Sequence, residues 1–196
     1  IYGLDQKSGV EIVEKTPSIA TQYPVMAAIG QSNNNYTTVQ LARYVTAVAN
    51  GGTVYQYTLL NRLEDSDGNV LQTFEPQVRN QIDVLDTEEW NAIHSGMRMV
   101  VENTKEFDGF PIEAAGKTGT AQQNLNRPNH ALFVGYAPYD DPEISIATRI
   151  AYGYTSHNAA KLARNVFAYY FNVENEDELL NGQAANGNSS SNEISD

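Results

Sequence analysis

The spacing of apolar residues divides the chain into a loop-like beginning, two amphipathic helices around a turn-rich segment, and a close run of strands closed by a third helix. Residues 1–36 hold no sustained period. Pro17, Pro24 and the polar run Gln31-Ser32-Asn33-Asn34-Asn35 predict mostly loop. Thr37-Thr38-Val39-Gln40 then has capping-box spacing, in which a Thr and a Gln three residues on take each other's backbone N–H. Leu41, Tyr44, Val45 and Val48 recur at helical spacing. Asn50-Gly51-Gly52 predicts the end of that helix, since glycine accepts the left-handed backbone of a C-terminal cap.

Residues 53–76 read as a hairpin, with Tyr55, Tyr57 and Leu59 before an Asp67-Gly68 turn. Asp86-Thr87 predicts the start of a second helix, and the acidic pair Glu88-Glu89 favours its N-terminus through the helix dipole. Trp90, Ile93, Met97, Val100 and Val101 form its apolar stripe, and Phe107-Asp108-Gly109-Phe110-Pro111 breaks it. Three strands follow, near Ala114–Gln122, Ala131–Ala137 and Ile144–Ala151, with Asp140-Asp141-Pro142 turning the chain between the last two. Their short links predict antiparallel pairing, because a parallel crossover needs a dozen or more residues. Ala159, Leu162, Ala163, Val166, Phe167 and Tyr170 keep the 3.6-residue period of a final helix expected to pack this face on the sheet. The aromatic set Phe167, Tyr169, Tyr170 and Phe171 reads as core and surface of that helix. Glu174, Glu176, Asp177 and Glu178 read as a solvated face. From Asn181 the chain turns to Gly, Asn, Ser and Ala, and residues 174–196 are expected to be a disordered tail behind a domain portion spanning 1–173.

Composition narrows the function. With 12 Lys+Arg against 24 Asp+Glu the formal charge is -12, which argues against a nucleic-acid partner and against anionic lipid. The chain has no cysteine, so thiolate metal sites and cysteine nucleophiles are excluded. His94, His130 and His157 lack ligand spacing, and no metal or cofactor is expected. No apolar run reaches the roughly 18 to 20 residues that span a bilayer. The start, Ile1-Tyr2-Gly3-Leu4-Asp5, has no signal-peptide character and reads as cut from a longer protein.

The sharpest chemical signal is Ala115-Gly116-Lys117-Thr118-Gly119-Thr120-Ala121. A phosphate-binding loop would need a glycine at position 111, which is Pro111, and a helix after the motif, where a polar loop and a strand are expected. The alternative is the Lys-Thr-Gly of active-site serine acyltransferases, on an edge strand that walls a cleft. Gly119, without a side chain, lets substrate approach the backbone. Lys117 offers charge to a substrate carboxylate and to proton traffic. The Thr118 hydroxyl can bond that carboxylate. The Thr120 N–H can face a carbonyl oxygen becoming an oxyanion, a contribution of about 10²–10³ in rate per donor.

Several further stretches stand in order around this motif. They are Ala28-Ile29-Gly30-Gln31, Thr37-Thr38-Val39-Gln40-Leu41-Ala42, Ala49-Asn50-Gly51-Gly52, Ser95-Gly96-Met97-Arg98-Met99-Val100-Val101, the run Phe110 to Gln122, and His130 to Pro138. Together, over residues 25 to 171, the sequence resembles the C-terminal half of the transpeptidase domain of class B penicillin-binding proteins. The resemblance implies an α+β fold, an antiparallel sheet flanked by helices, of which this chain would give three strands and the final helix. It implies a serine that attacks the penultimate D-alanine carbonyl of a peptidoglycan stem peptide (D-Ala-D-Ala), expels D-alanine and passes the acyl group to a neighbouring stem. β-Lactams would acylate the same serine. Lys117, Thr118, Gly119 and Thr120 would be the substrate-binding residues, Lys117 and Thr120 the catalytic ones.

The family's nucleophile lies in Ser-x-x-Lys, where the lysine accepts the serine proton. No serine of this chain has Lys three residues on. The family's Ser-x-Asn is matched formally by Ser32-Asn33-Asn34, but that match directly follows Gly30-Gln31, whereas the family motif lies well upstream. Both motifs are therefore expected on a complementary N-terminal part of the domain, within an extracytoplasmic parent tied to the bacterial membrane by an N-terminal anchor. Alternative readings are a non-catalytic module of the same fold, or a related carboxypeptidase or β-lactamase.

Overall fold

The computed structural model describes residues 2–10, 13–18, 23–175 and 179. Its helices are α1 (Pro24–Ala28), α2 (Thr38–Ala49), α3 (Thr87–Glu102) and α4 (Ser156–Tyr170), and its strands are β1 (Thr53–Tyr55), β2 (Arg62–Glu64), β3 (Val70–Thr73), β4 (Val78–Gln81), β5 (Ala115–Ala121), β6 (His130–Ala137) and β7 (Ile144–Ile150). The architecture is α+β. β5, β6 and β7 form one antiparallel sheet in that order. α4 packs on one face and α2 and α3 on the other.

Local chemistry explains where the helices begin. The Thr37 hydroxyl accepts from Gln40 N at 3.1 Å, and Gln40 Oε1 accepts from Thr37 N at 2.8 Å. Asp86 and Glu89 make the same reciprocal pair for α3, both bonds at 2.9 Å, so Glu89 acts through a specific cap as well as through the dipole. α4 ends in a Schellman arrangement. Asn172 has φ +52°, its N–H donates to Tyr169 O, and Val173 N–H donates to Ala168 O. Asparagine tolerates that left-handed position better than most residues, which stops the helix without a glycine.

The buried faces differ in part from the expected stripes. On α3 the buried edge runs Trp90, His94, Met97, Val101. Ile93 is exposed, and the His94 ring meets Tyr136 edge-on at 5.9 Å. On α4 the residues facing the sheet are Ala159, Ala160, Ala163, Phe167 and Ala168, while Leu162, Val166, Tyr169 and Tyr170 stay exposed. Small alanines let the helix lie close to β6, so the larger residues are turned away. On α2, Val45 and Val48 are buried as expected, but Gln40 and Arg43 are buried beside them.

The segment from 53 differs from a single hairpin ending at 76. The turn at Asp67-Gly68 is present, with Gly68 at φ +84° and Asp65 Oδ1 accepting from the N–H of Asp67 and Asn69. It joins β2 to β3, while β1 reaches past them to pair with β4. The result is two nested ribbons forming an arm in which β2, β3 and β4 are exposed while β1 buries Val54. Within the region expected to be loop, α1 forms one short helix begun by Pro24.

Most of the expected tail, 174–196, lies outside the described residues. Glu174 is described, and it is ion-paired with Arg164 instead of standing free in solvent. That pairing holds its carboxyl below the usual range, led by the hydrogen bond from Arg164.

Candidate active site on the free edge of β5

β5 carries Lys117, Thr118, Gly119 and Thr120 as consecutive strand residues. They neither enter a helix nor form a loop, and another strand follows, which removes the phosphate-loop reading. β5 is an edge of the sheet among the described residues, since β6 is its one strand partner.

The register fixes where each group points. Lys117 pairs with Val134 and Gly119 with Leu132, on the face shared with Ala115, Tyr136 and Val45. Thr118 pairs with Phe133 and Thr120 with Ala131, on the face turned to α4. The lysine and threonine side chains thus straddle the strand edge. Lys117 is exposed, and the two threonines are partly so.

In an antiparallel edge strand the N–H and C=O of one residue point the same way, and alternate residues face outward. Three hydrogen bonds identify the outward set. Arg98 Nη1 donates to Ala114 O at 3.3 Å, Lys117 Nζ to Thr118 O at 2.9 Å, and Gln31 Nε2 to Thr120 O at 3.3 Å. The even-numbered residues therefore face away from β6. The N–H groups of Thr118 and Thr120 lie on the open edge, where an incoming acceptor can meet them.

The glycines differ in what surrounds them. A Cβ on Gly116 would lie 2.3 Å from Phe133 Cζ, and one on Gly135 2.7 Å from Phe133 Cε1. These two glycines make room for a ring with no exposed surface, stacked 5.7 Å from Phe107. A Cβ on Gly119 would meet Leu132 Cβ at 3.5 Å, an ordinary contact. Nothing in the described fold demands glycine at 119, and its bare backbone borders the open edge.

Beyond the motif, His130 pairs with Ala121 at the end of the same strand. It is 6% exposed. Its Nδ1 accepts from Tyr152 N at 3.1 Å, which leaves the proton on Nε2 to donate to Gln123 Oε1 at 2.7 Å. Burial, and then the charge of Arg149, hold its pKa below the ordinary histidine value. His94 Nε2 donates to Val48 O at 2.7 Å, and His157 pairs with Glu106 at 2.9 Å. The three histidines thus sit in separate local networks. Ser32-Asn33-Asn34 is a turn bonded mostly to itself, with Ser32 Oγ to Asn33 Oδ1 at 3.2 Å and Asn34 Nδ2 to the carbonyls of Gly30 and Gln31, both at 3.5 Å. Gln31 was legible only as part of a family-like stretch. Its contact with Thr120 crosses 89 residues and leaves no local pattern. No helix among the described residues is long and apolar enough to cross a membrane.

Residues 2–168 match the penicillin binding protein transpeptidase domain. Among curated proteins, the chain is 27% identical to penicillin-binding protein 2A of Bacillus subtilis, over 94% of this chain and 29% of that protein. It is 30% identical to the peptidoglycan D,D-transpeptidase MrdA of Haemophilus influenzae, over 87% of this chain and 31% of that protein. The chain thus spans under a third of either relative. Among solved structures, penicillin-binding protein 2B of Streptococcus pneumoniae superposes with a TM-score of 0.74 at 24% identity, over 88% of this chain and 31% of that one. The imipenem acyl-enzyme complex of penicillin-binding protein A from M. tuberculosis superposes with a TM-score of 0.73 at 22% identity, over 87% and 40%. With class B relatives across nearly its whole length and the Lys-Thr-Gly strand on an open sheet edge, the chain belongs to the penicillin-binding protein transpeptidase family.

Proposed function

We propose that this chain is the portion of a peptidoglycan D,D-transpeptidase that walls the acyl-transfer cleft with β5, and that a complementary N-terminal part of the domain supplies the serine nucleophile. The observation that carries the reading is the open edge at Thr118 and Thr120 beside a glycine that internal packing does not require. A stem peptide ending in D-Ala-D-Ala lies along this edge. Its terminal carboxylate sits between the Lys117 ammonium and the Thr118 hydroxyl, which straddle the strand. The Thr120 N–H faces the penultimate carbonyl as it becomes tetrahedral. β-Lactams occupy the same edge; penicillin-binding protein A from M. tuberculosis forms an acyl-enzyme complex with imipenem.

Two features support a complementary part. β7 has an open edge among the described residues, and Leu162, Val166 and Tyr169 form an exposed apolar stripe at i, i+4, i+7 on α4. A further strand and helix would cover both, and an uncovered strand edge favours aggregation. The site faces the extracytoplasmic side in an anchored parent, where peptidoglycan lies. Fluorescent penicillin labelling tests the reading. The complete domain forms a covalent adduct, this chain alone does not, and Lys117→Ala in the complete domain slows labelling about 10²-fold, the scale of one transition-state electrostatic contact. A complete domain that does not label favours the non-catalytic module, a reading that the lack of Ser-x-x-Lys in this chain keeps open.

A further inference from the structure

The register of β5 sets where a bound stem peptide would send its side chains. With the terminal carboxylate at Lys117 and Thr118 and the penultimate carbonyl at Thr120, the peptide runs antiparallel to β5. The penultimate D-alanine then lies opposite Thr120, and the residue before it lies opposite Ala121. Directly opposed residues of an antiparallel pair share a face of the sheet. Ala121 pairs with His130, and the neighbouring row on that face is Gly119, Leu132 and Arg149. Ala121 is small, so the side chain opposite it can pass over it toward His130. The peptide backbone is two strand spacings from β6, about 10 Å. A long side chain and an arginine close such a gap from its two sides.

Two guanidinium groups stand around His130. Arg149 Nη2 lies 3.4 Å from both of its ring nitrogens. Arg127 Nη1 donates to the Tyr152 hydroxyl at 2.7 Å, and its guanidinium lies 5.2 Å from the centroid of that ring. The Tyr152 ring is in turn 4.9 Å from the His130 ring, and the Tyr152 N–H donates to His130 Nδ1. Both arginines are exposed, and among the described residues neither has an acidic partner. The surrounding sequence offers none. From Ala114 to Tyr139 and from Ile144 to Val173 the chain has no Asp or Glu, although it carries 24 acidic residues and a formal charge of -12. Arg98 and Arg164, which do reach acidic residues, are ion-paired. We propose that Arg127 and Arg149 form a subsite for a carboxylate on the side chain of the stem residue that precedes D-Ala-D-Ala, so that the site selects stems with a free acid at that position. The inference deepens the transpeptidase reading above and rests on it.

The test measures how well two stem peptides protect the complete transpeptidase domain from labelling by a fluorescent penicillin. Both end in D-Ala-D-Ala. They differ only in the residue before it, whose side chain ends in a carboxylate in one and in the carboxamide in the other. The carboxylate peptide is expected to halve the labelling rate at a concentration about 10-fold lower, the scale of a charge-assisted hydrogen-bonded pair. Added salt shrinks that preference. Arg127→Gln and Arg149→Gln each cut the ratio, and Arg127→Glu inverts it. A defect of folding weakens both peptides together and leaves the ratio unmoved, which separates a structural role from the subsite. Equal protection by the two peptides, no protection by either, or an unchanged ratio in the arginine variants overturns the subsite and leaves the functional reading intact. A wild-type domain that forms no penicillin adduct overturns both.

Discussion

Two glycines three residues apart on β5 should respond to alanine in opposite ways. At Gly116 the added methyl would sit 2.3 Å from Phe133 Cζ, 2.8 Å from Cε2 and 2.8 Å from Val134 O. Carbon atoms pack at about 3.5–4.0 Å, so the ring must retreat by over an ångström or the strands must part. Phe133 has no exposed surface and is stacked on Phe107, so retreat is blocked. Overpacking of this kind costs about 1–3 kcal/mol, and the backbone contact places Gly116→Ala near the upper end. At Gly119 the new methyl meets Leu132 Cβ at 3.5 Å and displaces nothing. Relief of glycine's backbone entropy should make Gly119→Ala neutral or more stable by up to about 0.5–1 kcal/mol. The same methyl stands on the open edge, so it should slow penicillin acylation. Equilibrium denaturation and acylation kinetics on the complete domain separate the two effects. The reasoning fails if Gly119→Ala loses stability like Gly116→Ala, or if it acylates at the wild-type rate.

Other outcomes follow from the same geometry. The chain alone should aggregate or elute above its monomer size in size-exclusion chromatography, and adding the complementary N-terminal part should restore a defined complex. A stable monomer with a cooperative melt would contradict the open β7 edge and the exposed α4 stripe. Thr37→Ala and Asp86→Ala each remove a capping side chain that accepts a backbone N–H, and each should cost about 1 kcal/mol in denaturation of the domain. His130 has its folded pKa lowered below an unfolded value of about 6.5, so the unfolded chain binds the proton first. Its contribution to stability is therefore intact above that value and declines as pH falls from about 6.5 toward the folded pKa. His130→Gln should flatten that part of a stability-versus-pH curve, and an unchanged slope would refute the assignment.

What the sequence disclosed was what local chemistry decides. The capping box at Thr37 and Gln40, the Asp67-Gly68 turn and the Asp140-Asp141-Pro142 turn between the last two strands each depend on neighbours within a few residues. Helix faces were legible only in part, because burial depends on partners that periodicity cannot name. Gln40 and Arg43 are polar residues of α2 outside its apolar period, yet both are buried. Gln40 Nε2 donates to Gln6 O at 2.5 Å, and Arg43 Nη2 donates to Gly3 O at 2.6 Å while the guanidinium lies 4.1 Å from the centroid of the Tyr57 ring. The N-terminal segment and the arm cover them, and neither announces its path in the sequence. The pairing of β1 with β4 was hidden for the same reason. A strong turn at 67–68 explains the inner ribbon fully and leaves the outer one to tertiary packing.

The site shows the same division more sharply. Lys117 to Thr120 is a four-residue pattern with chemical content, so it could be read directly. The direction in which its backbone faces could not, since a strand has two edges and the pattern is the same for either. That choice is made by β6, which pairs along one edge of β5, and the side chains of Gln31 and Arg98, far away in sequence, meet outward carbonyls and so reveal which edge is open. An unpaired strand invites pairing with other chains, and each carbonyl taken internally removes one point of attachment. With the Ala114 carbonyl met by Arg98 and Gly116 buried, the part of the edge that stays accessible is the Thr118–Thr120 stretch.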